Sequence, residues 1–157
     1  MTAPHRPGLV LVLVGAADRR MLPALHLVPQ LDGEARALHV AVDPEQAAAL
    51  AAAWVQLGLA WLPLELAEPG GATVAAAVRN LVVREAAGRP RVTVLVPELD
   101  LRWRWQLLLH RGCGREIAWH LQGLRRVVTA VLPVPVDLAG VSPGSWRTAG
   151  GCRSPRP

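Results

Sequence analysis

The sequence predicts an α/β protein, with five parallel strands in a doubly wound sheet and helices on both of its faces. Three observations predict it. Short apolar runs recur, as in Leu9–Val14 (LVLVLV), Val92–Val96 (VTVLV) and Val127–Leu132. Runs without polar alternation suit strands buried on both faces. Segments with helical apolar spacing separate these runs, and Gly, Pro and Asp mark the junctions. Strand and helix then alternate along the chain, which argues for a parallel sheet with short right-handed crossovers.

The elements are taken in order. Leu9–Val14 is the first strand, and Gly15–Asp18 the turn after it, with Asp18 placed to cap the next helix. Arg19–Leu31 reads as that helix, with Leu22, Leu25 and Val28 on one face, ended or bent by Pro29. Ala35–Val42 is the second strand. Asp43-Pro44-Glu45-Gln46 supplies an N-cap, a proline at the first helical position and a Gln at the capping-box position. This second helix runs to about Leu57 and stops at Gly58. Trp61–Leu66 reads as the third strand, and Gly70-Gly71 as a turn. Thr73–Ala87 is a helix with Val74, Ala77, Val78, Leu81 and Val82 on its buried stripe, ended by Gly88 and Pro90. Arg91–Val96 is the fourth strand. Leu101–Leu124 is helical, with a break at Gly112-Cys113-Gly114. Val127–Leu132 is the fifth strand, which Pro133 and Pro135 should keep from extending in a ladder. The α/β domain is expected over residues 1–137, with a disordered Gly, Pro and Arg-rich tail over 138–157.

Two segments have a second reading. Leu9–Ala17, preceded by His5 and Arg6, has the look of a signal-peptide core; as the opening strand of a continuing β-α pattern it is better explained. Gln46–Leu64 carries no formal charge over 19 residues, long enough to cross a bilayer. Gln56, Gly58 and Pro63 interrupt it, so a helix followed by a strand is expected.

The chain has 157 residues and a formal charge of +5, and all of its 17 basic residues are Arg. With the abundance of Ala, Leu, Gly and Pro, this looks more like coding bias than selection for arginine chemistry, and the Arg residues are scattered. The charge favours an anionic partner. No dense basic stripe accompanies it, so no sequence-specific nucleic acid is expected. Cys113 and Cys152 make no disulfide framework, and a reduced, cytoplasmic setting is the simpler expectation.

In such a sheet, ligands bind beyond the carboxyl ends of the strands where the strand order reverses. That rim collects the candidate ligand-binding residues Gly15, Ala16, Asp18, Asp43, Pro97, Glu98, Arg102, Trp103 and His110. Trp103 could stack on a base while Arg102 or Arg104 meets a phosphate. The plainer reading buries one Trp and half-covers the other, makes Asp43 a helix cap and leaves His110 a helix residue bonded nearby. His39 could belong to core or rim. No enzyme is expected: Glu98 and Asp100 look like helix caps, and Ser142 and Ser145 lie in the tail without a nucleophile elbow. No metal is expected, because the spacing of His110, Cys113 and His120 fits no standard zinc site.

Three stretches carry a resemblance: HVAVDPEQAAALAAAWVQLG (His39–Gly58), VTVLVPELDLRWRWQLLLH (Val92–His110) and RVVTAVLPVPV (Arg126–Val136). They resemble the C-terminal cytoplasmic domain of bacterial amino acid permeases of the amino acid–polyamine–organocation superfamily. Pro97-Glu98, Trp103 with Trp105, and Leu108-Leu109-His110 stand where that family has a strand end, a Trp pair and a Leu-Leu-His. The resemblance spans roughly Gly8 to Val136. It implies a fold similar to the universal stress proteins, some of which bind ATP, and to related potassium-transporter domains that bind cyclic di-AMP. It implies a non-enzymatic regulatory or accessory domain that senses a small ligand or contacts a transporter, and a homodimer through the last strand. A free-standing protein binding an adenine nucleotide is the alternative. The chain departs from these patterns in three places. Arg104 separates the tryptophans, the second helix is nearly all Ala, and no glycine stands between Pro97 and Gly112 to cradle phosphate. Whether the chain acts in trans or belongs to a larger permease is open.

Overall fold

A computed structural model describes residues 7–15, 19–100 and 113–135, with backbone alone for residues 20, 98–100, 113 and 133–135. The strands are β1 (Leu9–Leu13), β2 (Glu34–Val40), β3 (Leu64–Ala67), β4 (Val92–Asp100) and β5 (Val127–Pro135). They form one sheet in the order β3-β2-β1-β4-β5, every pair parallel. The helices are α1 (Leu22–Leu25), α2 (Pro44–Gln56), α3 (Val74–Ala87) and α4 (Cys113–Leu121). This is the doubly wound α/β architecture expected from the sequence.

β1 occupies the centre, and all five of its residues are buried. Its odd residues join Leu38, Val40, Val94 and Val96 against Val78, Leu81 and Val82 of α3 and Ile117 and Leu121 of α4. Val10 and Val12 turn to the other face, against Leu25, Val28, Leu50 and Trp54. A side chain fully buried in this way contributes about 1.5–3 kcal/mol, so the continuous apolar run needs both helix layers.

The ends of the elements depart from expectation for identifiable reasons. The segment expected as one helix over Arg19–Leu31 divides into a 3-10 turn (Arg19–Met21), the one-turn α1 and a second 3-10 turn (Val28–Gln30). Pro23 and Pro29 remove two amide donors and crowd the preceding turns. The third strand begins at Leu64 rather than Trp61. Trp54 Nε1 donates to the Leu62 carbonyl at 2.9 Å, and Leu62 N bonds Leu59 O at 3.0 Å. Leu59 and Leu62 are thereby buried in a turn, not a strand.

β4 and β5 run further than expected, and the ladder continues to Asp100↔Pro135. Parallel pairing explains why the prolines do not stop it. Val92 N donates to Arg126 O at 2.8 Å, so even-numbered residues of β5 face β4 and odd-numbered ones face the open edge. Pro133 and Pro135 are odd, and their missing N–H groups cost no bond to β4.

At the amino ends of the strands, charges on β2, β3 and α3 converge. Arg36 reaches Glu65 at 3.1 Å and Glu85 at 3.3 Å. Arg89, its side chain 5% exposed, donates to Glu34 at 2.8 Å, Glu85 at 3.2 Å and the Pro7 carbonyl at 3.1 Å. Arg36 Nε lies 3.2 Å from Glu34 without an aligned hydrogen bond. Close by, Gly33 sits at φ 133, where a Cβ would fall 2.5 Å from the Gly8 carbonyl. Only glycine lets β1 and β2 start this close together.

Candidate ligand pocket at the strand switch

In the order 3-2-1-4-5, β1 and β4 are neighbours reached by crossovers on opposite faces. Their pairing stops at Val12↔Leu95, and β4 continues alone toward β5. Residues 93, 95 and 97 of β4 point their amides to the β1 side, by the same alternation as above. Pro97 falls on that side, so it cannot donate to the chain leaving β1. The two strands part there, and a crevice opens between them.

A pocket of about 250 Å³ fills this crevice. Leu13, Leu38, Val40, Val78, Val96 and Ile117 give it an apolar floor. Its polar rim comes from the ends of β1 and β2 and the start of α2: Gly15, His39, Asp43 and Gln46. The starts of α3 and α4 close it at Val74 and Gly114. The amino ends of three helices therefore face one chamber, and their peptide dipoles favour negative charge in it. At Gly114 a Cβ would meet Val96 Cγ1 at 2.9 Å, so glycine lets α4 begin against β4. Gly15 is the reverse case: nothing lies within 4 Å of a Cβ there, because it stands at the open mouth.

His39 is the buried polar group of the site, 8% exposed. Its Nδ1 lies 2.8 Å from the Val14 carbonyl oxygen. A carbonyl can only accept, so Nδ1 carries the proton, and in the neutral ring Nε2 keeps its lone pair. No described residue bonds Nε2. Asp43 caps α2 by accepting from Glu45 N at 2.9 Å, which occupies one carboxylate oxygen.

Of the residues expected at the rim, Gly15, Asp43 and Pro97 line the pocket. Pro97 and Glu98 belong to β4 rather than to a loop beyond it, paired with Leu132 and Pro133; the side chain of Glu98 lies outside the described residues. So do Ala16, Asp18, Arg102, Trp103 and His110, and the tail over 138–157. The structure resolves His39 as both core and rim. Gln46, Val74 and Gly114 were read in the sequence as a capping residue, a core residue and part of a helix break, not as site residues; those same local signals were the clues to them. Among the described residues no three His, Cys, Asp or Glu converge on a metal-sized space. His120 instead meets Trp119 edge-on, with ring centres 5.5 Å apart.

Residues 5–134 match the family of the KimA potassium transporter C-terminal domain. The chain belongs to this family. It is thus a transporter C-terminal domain by descent, in keeping with the accessory domain expected from the sequence. Among the described residues no helix is long and apolar enough to cross a membrane. No curated protein matches the chain.

Proposed function

We propose that this transporter C-terminal domain is a non-enzymatic regulatory module that binds a small ligand in the crevice between β1 and β4. The observation that carries the reading is the pocket itself. It lies at the strand switch, with an apolar floor, a carboxylate at Asp43 and an unbonded imidazole nitrogen at His39. A planar apolar body with polar edges suits such a chamber, and helix amino ends suit an anionic group attached to it. An adenine nucleotide has both parts. The match to a potassium transporter C-terminal domain, and the resemblance to universal stress proteins expected from the sequence, support the same ligand class. Cyclic di-AMP, ATP and AMP are therefore the first compounds to try. Against ATP in the universal-stress manner stands the missing glycine loop after β4. The setting would be the cytoplasmic side of a membrane, next to a transporter. Two copies would pair through the open edge of β5, whose odd-numbered amides up to Val131 point outward.

The test is thermal unfolding of the full chain with each nucleotide, with and without magnesium. Binding to the folded state stabilises it by about 2.7 kcal/mol at a hundred times Kd, and the midpoint therefore rises with ligand concentration. In Gly15→Leu the new side chain enters open space, so the ligand-free midpoint should hold while the ligand-induced rise disappears. His39→Ala should weaken the rise as well. An undiminished rise in Gly15→Leu would place the ligand elsewhere, and no rise at millimolar nucleotide would remove the nucleotide reading.

A further inference from the structure

Helices α3 and α4 cover the same face of the sheet, and their outer surface carries a distinct chemistry. Arg79 and Arg84 on α3, and Arg125 and Arg126 in the turn after α4, are exposed. None of these four has an ion-pair partner among the described residues. Trp119, 69% exposed, and Val83, 44% exposed, stand on the same surface. Of the carboxylates on these helices, Glu85 is held by Arg36 and Arg89, which leaves Glu116 as the exposed one. On the other side of the sheet α2 carries a single charge, Glu45, and Arg19 is the exposed arginine of the turn before α1.

Arg126 adds an independent observation. Its φ is 65, a left-handed conformation that glycine adopts freely and a side chain resists. Its carbonyl accepts from Val92 N at 2.8 Å and opens the β4–β5 ladder, so the backbone cannot relax. A guanidinium is kept at a position where the backbone favours glycine, which points to a use for the side chain.

We propose that the α3/α4 face docks on an anionic lipid bilayer. Arginine side chains reach lipid phosphates while their stems lie along the acyl boundary. Tryptophan prefers that boundary, with its ring in the apolar layer and its N–H in the headgroups. Between Arg125–Arg126 and Val83 an apolar groove of about 380 Å³ opens, where part of an acyl chain can enter. A transporter domain works beside such a surface. This inference does not depend on the ligand pocket.

Sedimentation of the full chain with vesicles tests it, using phosphatidylcholine alone and phosphatidylcholine mixed with phosphatidylglycerol. The protein should co-sediment with the phosphatidylglycerol vesicles at low ionic strength and be released as salt screens the charges. Combining Arg79→Gln, Arg84→Gln and Arg125→Gln should weaken binding by about fivefold for each arginine removed. Trp119→Ser should weaken it too and abolish a vesicle-induced blue shift of the emission. All of these residues are exposed, so each variant should keep the unfolding midpoint of the parent chain. Equal binding to both vesicle types, no binding by the parent, or parent-like binding by the triple variant would overturn the proposal. So would a vesicle-free dimer that the triple variant dissolves, which would assign the surface to a second copy of the chain.

Discussion

Glu34 stands at the first residue of β2, with Arg89 Nη2 at 2.8 Å and Arg36 Nε at 3.2 Å from its carboxylate. The hydrogen bond from Arg89 lowers its pKa below the ordinary 4.5, burial opposes the shift, and the charges of Arg89 and Arg36 add to it. A carboxyl that is more acidic in the folded chain contributes stability above its unfolded pKa and loses it as pH falls through the folded value. The chain should hold its denaturant midpoint from neutrality to near pH 5 and then lose stability. Glu34→Gln should be less stable at neutral pH and show a shallower fall below about pH 4.5, read from urea unfolding at a series of pH values. A curve parallel to that of the parent would mean that other carboxyls govern the acid limb. Nothing in the sequence announced this network. Its members are up to 55 residues apart, and in a linear reading Glu34, Arg36, Glu65, Glu85 and Arg89 look like solvated charges. His39 was undecidable for a related reason. Alternation along a strand tells which face a side chain takes, but not that the neighbouring strand offers a carbonyl at that height.

Among the elements, legibility followed the strength of local signals. α2 and α3 have caps that the sequence displays: Asp43 with Pro44, and Thr73, whose hydroxyl accepts from Ala76 N at 3.2 Å. Their limits fall where expected. The start of β3 was misplaced because Trp61 and Leu62 are apolar, and the bond that draws Leu62 into a turn comes from Trp54 on another element. The lengths of β4 and β5 were underestimated because a proline reads as a strand breaker, whereas its effect depends on which side its nitrogen faces. That reasoning gives a test of edge pairing. Thr129 is odd-numbered, so its amide faces the open edge of β5 rather than β4. Thr129→Pro should preserve the internal ladder and lower the midpoint only slightly. If two copies join through this edge, the substitution should convert a sedimenting dimer to a monomer. A dimer unaffected by it would have to use another surface.

For the molecule as a whole, sheet order and charge placement matter more than any one residue. The reversal of strand order places a pocket at the carboxyl end of the sheet, and the arrangement of charges places an arginine-bearing surface on one helix layer. Both were partly visible in the sequence. The rim residues Gly15, Asp43 and Pro97 could be named from the β-α rhythm, because a doubly wound sheet puts every βα junction at one end. The basic face could not, since arginines scattered along a chain converge only once α3 and α4 are known to share a side. The two cores draw on residues from Leu9 to Leu132, and β5 completes the sheet. The segment after Asp137 lacks apolar periodicity, so it should add little to the surface buried on folding. A chain ending at Asp137 is therefore expected to unfold in urea with the same midpoint and the same m-value, because m scales with the area exposed on unfolding. It should also keep ligand stabilisation and vesicle binding, because the pocket and the basic face are both built before β5 ends. A lower m-value would show that the terminal segment packs on the sheet. Vesicle binding lost with the segment, at unchanged stability, would assign the membrane contact to Arg147, Arg153 and Arg156 instead of the α3/α4 face.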